Sequence, residues 1–383
     1  MVDVRGQYAR IQSEIDKAVL DVVQSGQFIN GPAVKNFTLA LGEWLGHTAA
    51  APIHVVPCAN GTDALMAALM ALGLRPGDEV ITPSFTFIST VEVIHLLRLT
   101  PVMVDVDPLS FTLDPDAVAN AVTPQTKVIM PVHLYGQCAD MTALQALAKQ
   151  HGLTIVEDAA QAIGSTWQSP DETWQSAGTM GTIGTTSFFP SKNLGAYGDG
   201  GACFTRDAAL AKRLRMICNH GSKQRYEHEI IGMNSRLDSI QAAILGVKLP
   251  HLADYNAARR KAADRYDALL GDHPKITLPY RHPRSRHVFH QYTIKLGAKG
   301  DGPGLRDHLA SQLQAQGIPF GIYYPKPIHH QEAFTDLPSR PPELPVTEDL
   351  TNRVLSLPMH TELTNDQQDY IAGAIRRALA SYL

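Results

Sequence analysis

From residue 54 onward, short apolar, β-rich runs alternate with helical stretches, and this alternation constrains the fold more than any other feature. The runs are HVVPC (54–58), EVITP (79–83), PVMVDV (101–106), KVIMPV (127–132), LTIVED (153–158), TTSFF (185–189) and GACFT (201–205). Helical patterns such as TDALMAALMAL (62–72) and MTALQALAKQ (141–150) lie between them. Strands that alternate with helices make βαβ units, which build a mainly parallel sheet covered on both faces. The last two runs have no helix between them, so the expected α/β sheet is mixed.

Ile11, Ile15, Val19 and Val22 recur at helical spacing, so an amphipathic helix over 8–24 opens the chain. A long helical stretch over 235–270 follows the sheet, and Pro250 should kink or break it. This stretch reads as the bridge to a smaller α/β C-terminal domain, giving a large domain over 1–250 and a small one over 251–383. In the second part, 290–296, 319–325 and 354–359 read as strands, 305–317 and 365–381 as helices, and PSRPPELP (338–345) as a proline-rich loop.

Composition excludes several function classes. Among 383 residues 44% are hydrophobic and 18% charged, enough for a sizeable core and unlike a disordered chain. The net charge is −4 and no Lys/Arg cluster stands out, which argues against a nucleic-acid partner. No apolar run approaches the roughly 18 residues of a membrane span, and the polar N-terminus has no signal-peptide core. Cys58, Cys138, Cys203 and Cys218 show no CxxC spacing and read as reduced, buried residues. The expectation is a cytoplasmic protein with no membrane partner.

In open α/β sheets, ligands sit beyond the carboxyl ends of the strands. HVVPC runs into Asn60-Gly61-Thr62, which opens a helix. Such an N-terminus is either a phosphate cradle or an ordinary cap by Asn60 or Thr62. No GxxxxGK[ST] occurs, and no helix follows GDGG (198–201), so neither nucleotide motif is present. LTIVED ends in Glu157 and Asp158, of which only one can face a site. Asp158 is either a helix N-cap or a carboxylate that keeps a ring nitrogen protonated, as pyridoxal phosphate requires. Lys192 follows the apolar Ser187-Phe188-Phe189 and precedes four glycines. Alone it reads as a solvated loop lysine; beside the cradle and the acid it reads as a nucleophile whose burial favours the neutral amine.

The chain resembles, over nearly its full length, the DegT/StrS family of PLP-dependent nucleotide-sugar aminotransferases. The motifs that carry the resemblance are SGQFINGP (25–32), NGTDAL (60–65), GDEVITPSFTFIST (77–90), LYGQCADM (134–141), VEDAAQ (156–161), SFFPSKNLGAYGDGGA (187–202), MNSRLDSIQAAIL (233–245) and YYPKPIH (323–329). The resemblance implies PLP-dependent transferase fold type I, and a homodimer whose active sites lie at the subunit interface. It implies that Lys192 is the Schiff-base lysine and proton shuttle, and that Asp158 partners the pyridine nitrogen. Gln161 would lie near the ring hydroxyl and Phe87 would stack on the ring. Gly61, Thr62 and Ser187 look like phosphate ligands, with Asn234 reaching the phosphate from the partner subunit. Some family members carry His in place of the lysine and perform dehydration; Lys192 favours transamination.

The expected cycle takes the amino group from L-glutamate through PLP and PMP to a keto group of a nucleotide-linked sugar. LYGQCAD, SFFPSK and NSRLDSIQAAIL look most like the branch that aminates C3 of UDP-2-acetamido-2-deoxy-3-keto-glucuronate for surface polysaccharide. A 4-keto (or 3-keto) dTDP- or UDP-deoxysugar is the alternative acceptor, and a PLP-dependent sugar dehydratase or a regulatory protein the remoter readings. Two carboxylate substrates need a cation besides Lys192. Arg236 is the first candidate, unless it pairs with Asp238. His220, Lys223, Arg225 and His228 read as a diphosphate contact or a solvated face. Phe28, Asn30, Tyr324 and His329 are candidate sugar-site residues, although the family usually has His where Tyr323 stands. No metal site is expected: there is no HExxH, and the adjacent side chains of His329 and His330 should diverge.

Overall fold

The computed structural model describes residues 1–300, 302–335 and 343–382. Three helices lead: α1 (Val4–Arg10), α2 (Gln12–Ser25) and α3 (Pro32–Trp44). Strand and helix then alternate through β1 (His54–Cys58), α4 (Gly61–Ala71), β2 (Glu79–Pro83), α5 (Ser89–Leu96), β3 (Thr100–Val104), α6 (Pro115–Ala121), β4 (Thr126–Ile129), α7 (Met141–His151) and β5 (Thr154–Asp158). A hairpin of β6 (Thr166–Gln168) and β7 (Trp174–Ser176) precedes β8 (Ile183–Ser187) and β9 (Gly201–Thr205). Next come α8 (Ala208–Ile217), β10 (Ser222–Gln224), β11 (Glu227–His228), α9 (Ser239–Lys248) and α10 (Leu252–Leu270). The remainder holds β12 (Ile276–Thr277), β13 (Ser285–Arg286), β14 (Tyr292–Leu296), α11 (Gly304–Ala315), α12 (Pro345–Arg353), β15 (Val354–Leu357) and α13 (Asn365–Ala380).

Seven strands form one sheet in the order β1-β9-β8-β5-β4-β2-β3. β9 runs antiparallel to both neighbours and every other pairing is parallel, so the sheet is mixed. With only β9 reversed, the carboxyl ends of β1, β2, β5 and β8 open on the same edge. α4 is buried through Ala64, Leu65, Ala67, Ala68, Leu69 and Ala71. Its small side chains let it lie close on β8 and β9.

The bridge behaves as Pro250 dictates. α9 ends at Lys248, Leu249–His251 form a 3-10 turn with Pro250 near its start, and α10 continues the path. Beyond it a separate apolar cluster forms around β14 and β15, with Tyr266, Tyr292, Leu309, Leu355 and Ile375 among its buried members. One segment returns to the first sheet's side: β13 pairs with β6, and His290 reaches the cavity described below.

The strand expected over 319–325 does not form. Its one ladder contact is Gly321 opposite Ser356. Alternation fails there because Ile322, Tyr323, Tyr324 and Pro325 all turn to the same cavity. In the proline-rich loop read at 338–345, residues 338–342 lie outside the described residues. α5 was not legible as a helix, since Thr90, Val91, Val93 and Ile94 are β-branched and packing decides their state. All four cysteines are buried thiols.

Candidate active site

β8 and β5 lie side by side, with β1 beyond β9, and the loops from their carboxyl ends line a cavity of about 680 Å³. From β1 come Asn60, Gly61 and Thr62; from β5, Asp158 and Gln161; from β8, Ser187 and Lys192. The loop after β2 adds Thr86 and Phe87, and the far wall holds His290, Tyr323 and Tyr324.

At the β1 end, Asn60 caps α4: its Oδ1 accepts the Asp63 N–H at 2.8 Å. Capping and cradle therefore coexist. The N–H groups of Gly61 and Thr62, the first two of the helix, have no acceptor among the described residues. A Cβ at position 61 would sit 2.7 Å from the Ser187 Cβ, so only glycine lets α4 approach β8 this closely. The Thr62 hydroxyl meets Ser89 Oγ at 2.8 Å. Free N–H groups and hydroxyls at a helix N-terminus suit a phosphate.

The two neighbouring acids of β5 part company. Glu157 is fully buried away from the cavity. It accepts from His133 Nε2 (2.8 Å) and from the N–H groups of Gly178 (2.8 Å), Met180 (2.7 Å) and Gly181 (2.5 Å). Asp158 faces the cavity. Its Oδ2 accepts from Thr90 Oγ1 at 2.9 Å and its Oδ1 from the Ala160 N–H at 3.1 Å. No helix starts after Asp158, so the N-cap alternative for it falls away.

Lys192 is half-buried in the cavity wall. Burial lowers its pKa from 10.5 to about 8, against the opposing pull of Asp158. It is no solvated loop lysine, because the segment around it is clamped. Asn193 Nδ2 donates to Asn256 Oδ1 (2.7 Å) and to the Val288 carbonyl (3.1 Å). The Tyr197 N–H donates to Gln241 Oε1 at 2.9 Å, and Lys248 Nζ to the Gly195 carbonyl at 2.5 Å.

Gln161 bridges two tyrosines: its Oε1 accepts the Tyr135 N–H at 2.7 Å and its Nε2 donates to the Tyr324 hydroxyl at 3.1 Å. The Tyr135 hydroxyl donates to the Tyr323 carbonyl. Burial pushes the Tyr324 phenol well above 10. Phe87 is 55% exposed, with its ring 6.4 Å from that of Tyr324, so it offers an apolar face to the cavity. A pyridine ring with a phosphate fits this donor set: a helix N-terminus at one end, a carboxylate, an amine of lowered pKa and an open aromatic face.

Phe28, Asn30, Asn234 and Arg236 do not line this cavity. Asn30 and Arg236 line a second recess, of about 600 Å³, that shares no lining residue with the first. Asn234 and Phe28 are exposed. The two stretches hold each other: Ile29 pairs with Asp238, and the Phe28 carbonyl accepts from the Ser239 N–H at 2.9 Å. The Arg236–Asp238 pair is not found. Arg236 Nη1 donates to Asn219 Oδ1 at 3.4 Å, and Arg236 makes no ion pair among the described residues. His220, Lys223, Arg225 and His228 form an exposed face, with Lys223 paired to Glu229 at 2.7 Å.

His329 also lies outside the cavity lining, its Nδ1 2.6 Å from Ser84 Oγ. The expected divergence from His330 is corrected: the two rings are 4.2 Å apart and both side chains turn toward Glu348, which lies within 4 Å of each Nε2. Sequence reasoning did not single out Thr90, Asp199, His290 or Tyr135. Asp199, in GDGG next to the Lys192 loop, carried a signal in its position; the others arrive through long-range packing. His290 is buried with Nδ1 unpartnered, and burial pushes its pKa well below 6.5.

Residues 9–376 match the model of the DegT/DnrJ/EryC1/StrS aminotransferase family. A UDP-N-acetyl-3-dehydro-α-D-glucosamine 3-aminotransferase of Acidithiobacillus ferrooxidans is 47% identical, over 99% of this chain and 97% of its own length. The UDP-2-acetamido-2-deoxy-3-oxo-D-glucuronate aminotransferase of Pseudomonas aeruginosa is 41% identical, over 98% of each chain. Among solved structures, NtdA of Bacillus subtilis with bound cofactor PMP superposes with a TM-score of 0.85 at 32% identity, covering 96% of this chain and 82% of that one.

Proposed function

The chain belongs to the DegT/DnrJ/EryC1/StrS aminotransferase family and is a PLP-dependent aminotransferase, and from that premise we propose that it transfers an amino group from L-glutamate to C3 of a UDP-2-acetamido-3-keto sugar. The first acceptor on this reading is UDP-2-acetamido-2-deoxy-3-keto-glucuronate, for surface polysaccharide. One observation carries the chemistry: Lys192, Asp158 and the α4 N-terminus meet in one cavity from three strand ends. The C3 position rests on the two relatives, both named for 3-keto UDP-sugars.

Pyridoxal phosphate, when bound, supplies the electron sink that lets a donor's α-proton leave. The chain's residues do the rest. Lys192, its pKa lowered to about 8 by burial, would hold the cofactor through Nζ and, once released, would take up and return the donor's α-proton at that same Nζ. Asp158, oriented by Thr90, keeps the ring nitrogen protonated. Gly61, Thr62 and Ser187 would hold the phosphate, Phe87 would offer its apolar face to the ring, and Gln161 with Tyr324 would add polar contacts. Asn234 and Arg236, with Phe28 and Asn30, act across a homodimer interface. Arg236 takes a substrate carboxylate, Tyr324 borders the sugar, and His329 stands behind that wall against Ser84. The chain divides into a PLP domain over 1–250 and a small domain over 251–383, a reading supported by the separate apolar cluster around β14 and β15. No described helix is long and apolar enough to cross a membrane, in keeping with a cytoplasmic enzyme.

The test is an absorbance titration of the loaded protein, run backwards with candidate products. A UDP-2-acetamido-3-amino-uronate should convert the visible cofactor band to the near-UV form. Conversion by a UDP- or dTDP-4-amino sugar alone would remove the C3 assignment. Conversion by the 3-amino-glucosamine alone would move the acceptor from the uronate to the hydroxymethyl sugar.

A further inference from the structure

We propose that His329, His330 and Glu348 form a binding site for a divalent transition metal of the Zn²⁺ class, beside the active-site wall. His329 and His330 belong to the 3-10 turn Ile328–His330, and Glu348 to the first turns of α12. One donor atom from each lies within 4.8 Å of the other two. The His329 side chain is 5% exposed, and its Nε2 is buried without a hydrogen-bond partner. Buried polar atoms are almost always satisfied, so this nitrogen calls for a partner. The Glu348 Oε1 lies 3.6 Å from it and 3.8 Å from His330 Nε2, too far in each case for a hydrogen bond. A metal held at about 2.0–2.2 Å from each donor needs ligand atoms roughly 3–3.5 Å apart. His330 and Glu348 are 51% and 42% exposed, free to make that small rotation.

The surroundings fit. His329 Nδ1 is held by Ser84 Oγ at 2.6 Å; a proton on Nδ1, donated to Ser84, leaves a lone pair on Nε2. Metal-binding imidazoles are commonly fixed this way through the other ring nitrogen. Asp105 accepts from the N–H groups of Val346 (2.9 Å) and Thr347 (2.8 Å), which sets the turn that presents Glu348. Two imidazoles and one carboxylate suit Zn²⁺, Co²⁺ or Ni²⁺ rather than Mg²⁺ or Ca²⁺, which prefer all-oxygen shells. The ion would fasten the turn after Tyr323 and Tyr324 to α12. The inference does not depend on the amino-transfer reading.

The test titrates tag-free holoenzyme with Zn²⁺ against a chromophoric chelator, with no sugar or glutamate present. Wild type should bind one Zn²⁺ per chain, E348Q and H330A should each lose it, and S84A should weaken it about 10- to 100-fold. Zn²⁺ should raise the thermal midpoint of wild type but not of E348Q. His330 and Glu348 are solvent-facing, so both variants should keep the wild-type circular dichroism. Absence of stoichiometric Zn²⁺ binding, or binding undiminished in E348Q and H330A, would overturn the site.

Discussion

Lys248 Nζ donates to the Gly195 carbonyl at 2.5 Å, so a second, fully buried lysine braces the loop that carries Lys192. Burial lowers the Lys248 pKa to about 8. Replacing it by methionine keeps the volume and leaves a buried carbonyl without a donor. K248M should lose roughly 1–3 kcal/mol of stability in chemical denaturation. It should also capture pyridoxal phosphate more slowly, as followed by the rise of visible absorbance. An unchanged capture rate would mean that the brace does not position Lys192.

The lowered pKa of Lys192 gives a pH dependence with a definite sign. Only the neutral amine attacks, so capture of the cofactor by cofactor-free protein should accelerate up to about pH 8 and level off above it. The unfolded chain holds this proton up to about 10.4. Stability should therefore rise with pH between about 8 and 10.4, since the unfolded state binds more protons there. K192M should flatten this group's share of the rise. It should also lower turnover by at least about 10²–10⁴-fold, the usual range for a lost acid–base group.

Glu157 and Asp158 are neighbours with opposite duties, and substitution should separate them. E157A strips a buried partner from His133 and three N–H groups, and should cost roughly 3–5 kcal/mol. D158N keeps an acceptor for Thr90, so it should melt close to wild type yet fail to release 2-oxoglutarate from glutamate. A D158N protein with wild-type turnover would remove Asp158 from the chemistry.

Gly61 touches Ser187 too closely for any side chain. G61A should push α4 away from β8 and weaken cofactor affinity, read as a raised Kd for pyridoxal phosphate. The weakening should exceed that of S187A, which removes one hydroxyl and leaves the backbone in place.

The strand ends were the legible part of this chain. Asp158 and Ser187 close apolar runs with β periodicity, and Gly61 opens a helix with a cap, so local pattern alone brings them near one edge. Thr90 and His290 had no such signal, because the sheet and the 282–290 excursion bring them to the cavity from far along the sequence. Residues 319–325 misled for a local reason: two adjacent tyrosines with β propensity face one way, which no regular strand allows. The separation of Asn30 and Arg236 from Lys192 was equally invisible, since spacing along a chain does not record which recess a side chain enters.

That separation has a genetic consequence. On the proposed homodimer, each site draws Lys192 from one chain and Arg236 from the other. A chain with K192A and a chain with R236A would each be inactive as pure dimers. Mixed together, every hybrid dimer would place both lesions in one site and leave the other intact. Two dead alleles should then complement each other in one cell.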